Sequence, residues 1–107
     1  MQFLSLSTRR TDRFSDDQFA ELADAEASRA RELYAAGFIR QIWYRADVPG
    51  ACMVLEADSL DEAHARLSTL PLIRAGMLEV SIVPLVPYSG FTTGPRPLQP
   101  ATTERDV

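Results

Sequence analysis

The sequence predicts an α+β fold with the element order β-α-β-β-α-β. Two helix-period apolar stripes, over residues 15–37 and 59–70, each begin behind a serine cap. Around them lie stretches that alternate in polarity or are rich in β-branched and aromatic residues, as strands are. Between two of these stretches, Asp47-Val48-Pro49-Gly50 has the chemistry of a turn, so that pair reads as a hairpin. The order is that of the ferredoxin-like split unit, a four-stranded antiparallel sheet with both helices on one face. The other face needs a cover, and a second copy of the chain is the expected one, as a homodimer or a higher homo-oligomer.

Met1 to Ser7 alternates polar and apolar residues and reads as the first strand, with Thr8 to Phe14 a charged connection. Ser15-Asp16-Asp17-Gln18 has the form of a capping box with acids in the first turn, and Gly37 stands where a C-terminal glycine belongs. The spacing therefore predicts one helix from Ser15 to Gly37. Phe38 to Ala46 reads as a strand, with Phe38, Arg40, Ile42 and Tyr44 on one face and Ile39, Gln41, Trp43 and Arg45 on the other. Ala51 to Ala57 is its hairpin partner. Ser59-Leu60-Asp61-Glu62 is a second capping box. Its helix carries Leu60, Ala63, Leu67 and Leu70 inward and stops at Pro71. Leu72 to Gly76 connects to a last strand, Met77 to Val86, in which Pro84 implies an edge position or a bulge. Residues 1–88 thus form the domain. Ser89 to Val107, rich in Pro, Gly and Thr, is expected to be a disordered tail or an arm laid over a partner subunit.

With 107 residues, the chain is one domain large enough for a core without metal or disulfide support. The net charge of −4, with 11 basic residues scattered among 15 acidic ones, argues against a nucleic-acid partner. Cys52 is the single cysteine, so no internal disulfide forms, and a companion set for metal is lacking. No long apolar run points to a membrane, and the expected location is the cytoplasm. No phosphate loop, dinucleotide fingerprint or metal-ligand spacing is present, so no cofactor is expected.

One residue breaks the helical pattern. At about 100° per residue, Phe19, Leu22, Ala23, Ala30 and Leu33 fall within roughly 60° of one direction, and Glu26 sits near the centre of that stripe. The other acids, Asp17, Glu21, Asp24 and Glu32, point about 120° or more away. Burial disfavours the charged carboxylate and raises its pKa, which suits a proton shuttle. A buried ion pair with Arg29 or Arg40, or a place at the rim of the stripe, accounts for the same pattern.

The residues from Ala23 to Val80 resemble the muconolactone isomerase family, small dimeric α+β-barrel enzymes. The resemblance is carried by Ala25-Glu26, Gly37, Arg40, Trp43, the helix starting at Ser59, Leu70-Pro71-Leu72 and Glu79-Val80. It implies that Glu26 is the acid–base residue, moving a proton along an allylic system beside a lactone carbonyl. The sequence also departs from the family. A polar first strand with His and Lys is replaced by Phe3-Leu4-Ser5-Leu6-Ser7, and a polar hairpin stretch with His, Tyr and Asn by Val48-Pro49-Gly50-Ala51-Cys52. These losses point away from muconolactone, toward a larger and more apolar substrate such as an intermediate of aromatic or polyketide (secondary) metabolism.

Four further residues are candidates for binding that substrate. Arg40 can grip a carboxylate or enolate oxygen. Trp43 can wall a pocket, although strand alternation sets it opposite Arg40 unless a bulge intervenes. Tyr44 can donate to a developing enolate, and His64, the single histidine, is a possible second acid–base group. Solvated, core or interface positions are the competing readings for each. The expected function is a cofactor-independent isomerase or cyclase with Glu26 as base and then acid. A cofactor-free monooxygenase of the dimeric-barrel type and a non-catalytic small-molecule binding module are the alternatives.

Overall fold

In the computed structural model, which describes residues 1–91, one antiparallel sheet carries the fold. Its strands are β1 (Gln2–Arg9), β2 (Ile39–Tyr44), β3 (Ala51–Glu56) and β4 (Leu78–Leu85), in the order β2-β3-β1-β4. Helices α1 (Asp16–Glu21), α2 (Ala23–Ala35), α3 (Leu60–Leu67) and α4 (Pro71–Arg74) connect them. This is the four-stranded, ferredoxin-like α+β arrangement that the residue pattern predicts. β4 is an edge strand, and an edge offers a side with no ladder partner, where a residue lacking an N–H such as Pro84 fits. A 3-10 turn at Ser89–Phe91 ends the described chain, with Tyr88 and Phe91 meeting edge to face at 4.9 Å. The rest of the expected tail, residues 92–107, lies outside the described residues.

Local chemistry explains the helix ends. Ser15 Oγ accepts the Gln18 N–H at 3.3 Å while Gln18 Oε1 accepts the Ser15 N–H at 2.8 Å, a reciprocal box. Gly37, at φ +82°, ends α2: its N–H bonds to the Tyr34 carbonyl and that of Phe38 to the Leu33 carbonyl, both at 3.0 Å. At Ser59 the box is only half formed. Ser59 Oγ accepts the Glu62 N–H at 3.1 Å, but the Glu62 side chain takes the Asp58 N–H at 3.0 Å.

Five expectations are corrected. The single helix over 15–37 is broken at Leu22 (φ −101°, ψ 0°), so that Phe19 on α1 and Leu33 on α2 serve different apolar clusters. β1 runs on to Arg9 because Thr8 and Arg9 pair with Glu79 and Leu78. Residues 71–74 form α4 rather than a connection, since proline, with its fixed φ, starts a helix as well as ending one. Leu60 is 40% exposed, leaving Ala63, Leu67 and Leu70 to bury this face. Finally, a register shift between Ile39 and Gln41 leaves Arg40 outside the regular ladder, so Ile39, Ile42 and Tyr44 pair with Leu55, Met53 and Ala51. The expected grouping of Arg40 with Tyr44 therefore does not survive.

Phe3, Leu33, Phe38, Ile39, Leu55 and Leu70 are the centre of the main core between sheet and helices. A smaller cluster of Phe19, Leu72 and Met77, with Phe14, Leu22 and Leu78 against it, lies under α1 and α4. By alternation, the sheet's opposite face carries Leu4, Leu6, Trp43, Val54 and Val83, none of them buried. No helix among the described residues is long and apolar enough to cross a membrane.

Candidate active site

Between the two clusters, the helices and the sheet line a partly open cavity of about 370 Å³. Its existence follows from side-chain size. The inward residues of β1 run Phe3, Ser5, Ser7, Arg9, so bulk gives way to small hydroxyls halfway along the strand. Opposite them α2 offers Ala23, Ala27 and Ala30, and the hairpin offers Gly50 and Ala51. Large apolar groups close the ends, Phe19, Leu72 and Leu78 from one cluster and Met53 from the other. A Cβ on Gly50 would collide with the Ser7 carbonyl oxygen, so only glycine lets the hairpin come this close to β1. Ser7 Oγ accepts the Ala51 N–H at 3.1 Å and donates to the Ala51 carbonyl at 3.3 Å, so this buried hydroxyl is satisfied by the hairpin backbone.

Glu26 opens into this cavity, partly buried among apolar groups. Its Oε1 accepts the Leu72 N–H at 2.9 Å. Pro71 has no N–H, so Leu72 supplies the first free donor of α4, and the Glu26 carboxylate caps that helix from another element. Burial pushes the Glu26 carboxyl above its ordinary value of 4.5, against the opposing pull of the Leu72 N–H and of the Arg9 charge. Neither expected ion-pair partner is used. Arg29 donates to Thr69 Oγ1 at 2.9 Å and pairs with Glu32 at 3.2 Å, and Arg40 is exposed. Oε2 has no hydrogen-bond partner among the described residues, which leaves one oxygen open to a ligand.

Of the other residues marked from sequence, Trp43 and Tyr44 reach the cavity and Arg40 and His64 do not. Tyr44, 87% exposed, stands at the mouth on the helix side of β2. Trp43 pairs with Cys52, so alternation turns its indole to the sheet's other face and its strand segment edges the cavity. Arg40 is set aside by the break in register. His64 lies on the solvent side of α3, beside the buried line of Ala63 and Leu67. Among the described residues no group of His, Cys, Asp and Glu is placed to hold a metal ion.

Sequence reasoning missed Arg9. It ends β1 facing inward, paired with Leu78, and its guanidinium carbon lies 4.8 Å from the centre of the Phe19 ring. The available signal was parity, because Arg9 continues the series Phe3, Ser5, Ser7. Arg31 of α2 also lines the cavity, at its exposed side.

Among solved structures that share this fold, two align at identities too low to carry more than the fold. Muconolactone isomerase aligns with a TM-score of 0.71 and 19% identity over 91% of this chain and 100% of its own. The 5-chloro-2-hydroxyhydroquinone dehydrochlorinase of Burkholderia phenoliruptrix AC1100, solved with 2,5-dihydroxybenzoquinone, aligns with a TM-score of 0.61 and 21% identity over 80% and 94%. No curated protein matches the chain significantly. Residues 1–90, which hold every strand and helix of the sheet and every wall of the cavity, match the family described as muconolactone delta-isomerase, and the chain belongs to that family.

Proposed function

We propose that the protein is a cofactor-independent isomerase or cyclase that moves a proton next to a carbonyl, with Glu26 as general base and then general acid. The observation that carries this reading is a carboxylate with a raised pKa and one open oxygen facing an apolar cavity. Oε2 removes a proton from a carbon beside the carbonyl, and the electron pair moves into the enolate. The protonated carboxyl then returns the proton at a different carbon, so atoms and charge balance without a co-reactant. If the enolate instead expels a leaving group, the same step is an elimination, a reaction type in keeping with the dehydrochlorinase neighbour. In this reading Tyr44, at the mouth, donates to the developing oxyanion, a role supported by its place on the cavity lining. Arg40 and His64 are given no part.

Unsaturated lactones and halogenated hydroquinones, including muconolactone as the expected poor substrate, are suitable candidates for assay without oxygen in D₂O. Isomerisation should return substrate hydrogen at the new carbon, diluted by solvent deuterium only as far as the protonated Glu26 exchanges during turnover. Glu26→Gln, whose amide oxygen still caps α4, should lose about 10²–10⁴-fold in kcat. Near wild-type turnover by this variant would falsify the role of Glu26. A strict need for oxygen would instead favour a monooxygenase, and binding without product a binding module.

A further inference from the structure

We propose that Arg9 anchors an ionised oxygen of the substrate, so that the cavity takes a small apolar ring compound carrying one carboxylate, phenolate or enolate. The proposal names the ligand class of the site described above and rests on the cavity being the substrate site, not on Glu26 moving a proton.

The cavity holds four groups with polar side chains apart from the Tyr44 mouth and the Trp43 edge: Ser7, Arg9, Glu26 and Arg31. Ser7 spends its hydroxyl on the Ala51 backbone, and Glu26 spends one oxygen on the Leu72 N–H. Arg31 lies on the exposed side. Arg9 is left as the cation held inside. No carboxylate among the described residues lies within 4.0 Å of its nitrogens. Its side chain makes no hydrogen bond to another described residue, yet it is partly buried.

The position of Arg9 is nevertheless fixed. Its N–H bonds to the Pro49 carbonyl at 2.8 Å, its ladder partner is Leu78, and the Phe19 ring lies 4.8 Å from the guanidinium carbon. A guanidinium stays charged at any working pH and presents a planar fork that fits two oxygens. A cation held beside apolar walls, with the Phe19 ring against it but no carboxylate among the described residues within 4.0 Å, gains from a ligand that supplies the counter-charge. Glu26 feels the Arg9 charge but does not pair with it, so an anion seated on Arg9 lies within reach of the same cavity as the open carboxylate oxygen. The competing account is that Arg9 only packs on Phe19, and it predicts no preference for anions.

The test is titration calorimetry of the full chain with 1-naphthoate and with 1-naphthamide, its neutral counterpart, in low salt. A second arm uses 4-nitrophenol below and above the pH at which it ionises. The wild type should bind at least one of the two anions about tenfold or more tightly than its neutral form. Preference for naphthoate alone, nitrophenolate alone or both identifies the source of the oxygen. Arg9→Met, which keeps an unbranched chain over Phe19, should abolish the preference, and Glu26→Gln should retain it. No preference in the wild type, or an unchanged one in Arg9→Met, overturns the proposal. If Arg9→Met does not fold, the wild-type Arg9 Nε–H resonance decides, since it must shift with the preferred anion and not with the neutral compound. A Glu26→Gln enzyme with normal turnover removes the proton-transfer reading and leaves this one standing.

Discussion

At the scale of single residues, Glu26 joins two energetic roles that oppose each other. Its carboxylate satisfies a helix donor, and burial penalises its charge. Because the folded pKa lies above 4.5, the native state binds more protons than the unfolded chain between 4.5 and that raised value. Glu26 therefore subtracts stability as pH rises through this window, and contributes no pH dependence below it, where both states are protonated. The melting temperature of Glu26→Gln relative to wild type should thus climb with pH across the window and flatten above it, which thermal scans at stepped pH will check. Arg9→Met should raise the Glu26 pKa further, because it removes a charge that favours the carboxylate; a carboxyl-carbon NMR titration measures that directly. Glu26 was legible in the sequence because helical periodicity is a local property. Arg9 was not, because the end of β1 is set by pairing with Leu78, some seventy residues away in the ladder.

Among the elements, two features set by short-range chemistry match expectation, the break at Leu22 and the half-formed box at Ser59 do not, and distant pairing moves further boundaries. The Ser15 box and the Gly37 terminus need only their immediate neighbours. The shift at Arg40 and the length of β1 depend on partners distant in sequence, and α4 depends on which of the two uses of a proline applies. The glycines make the distinction measurable. Gly37 has open space for a Cβ, so Gly37→Ala is penalised only by its positive φ and should cost about 1 kcal/mol in urea denaturation. Gly50→Ala meets backbone at Ser7, so the hairpin itself must move. It should destabilise more than Gly37→Ala and also weaken ligand binding, since Gly50, Ala51 and Ser7 all line the cavity.

For the whole molecule, the feature that calls for a partner is the second face of the sheet. Leu6, Val83 and Trp43 are 39%, 49% and 52% exposed there, and no described element covers them. We infer that a second copy does, as the alternation of the strands already implied. Light scattering behind a sizing column should give a dimer or a larger homo-oligomer, and Leu6→Glu, which puts a charge on that face, should shift it toward monomer. A wild type that is monomeric at micromolar concentration sinks the inference. The fold order was readable because caps, turns and polarity periods agree with one another. The cavity was not, since it arises from small residues on three elements that meet only after folding.

The bond from Leu72 to Glu26 also makes the protein its own indicator. A backbone amide whose acceptor gains and loses a proton changes its resonance with that proton, so the Leu72 N–H signal follows the charge of a side chain on another helix. Watching one amide during a titration, or while a ligand is added, reads the protonation of the half-buried carboxyl without labelling it or assaying a product.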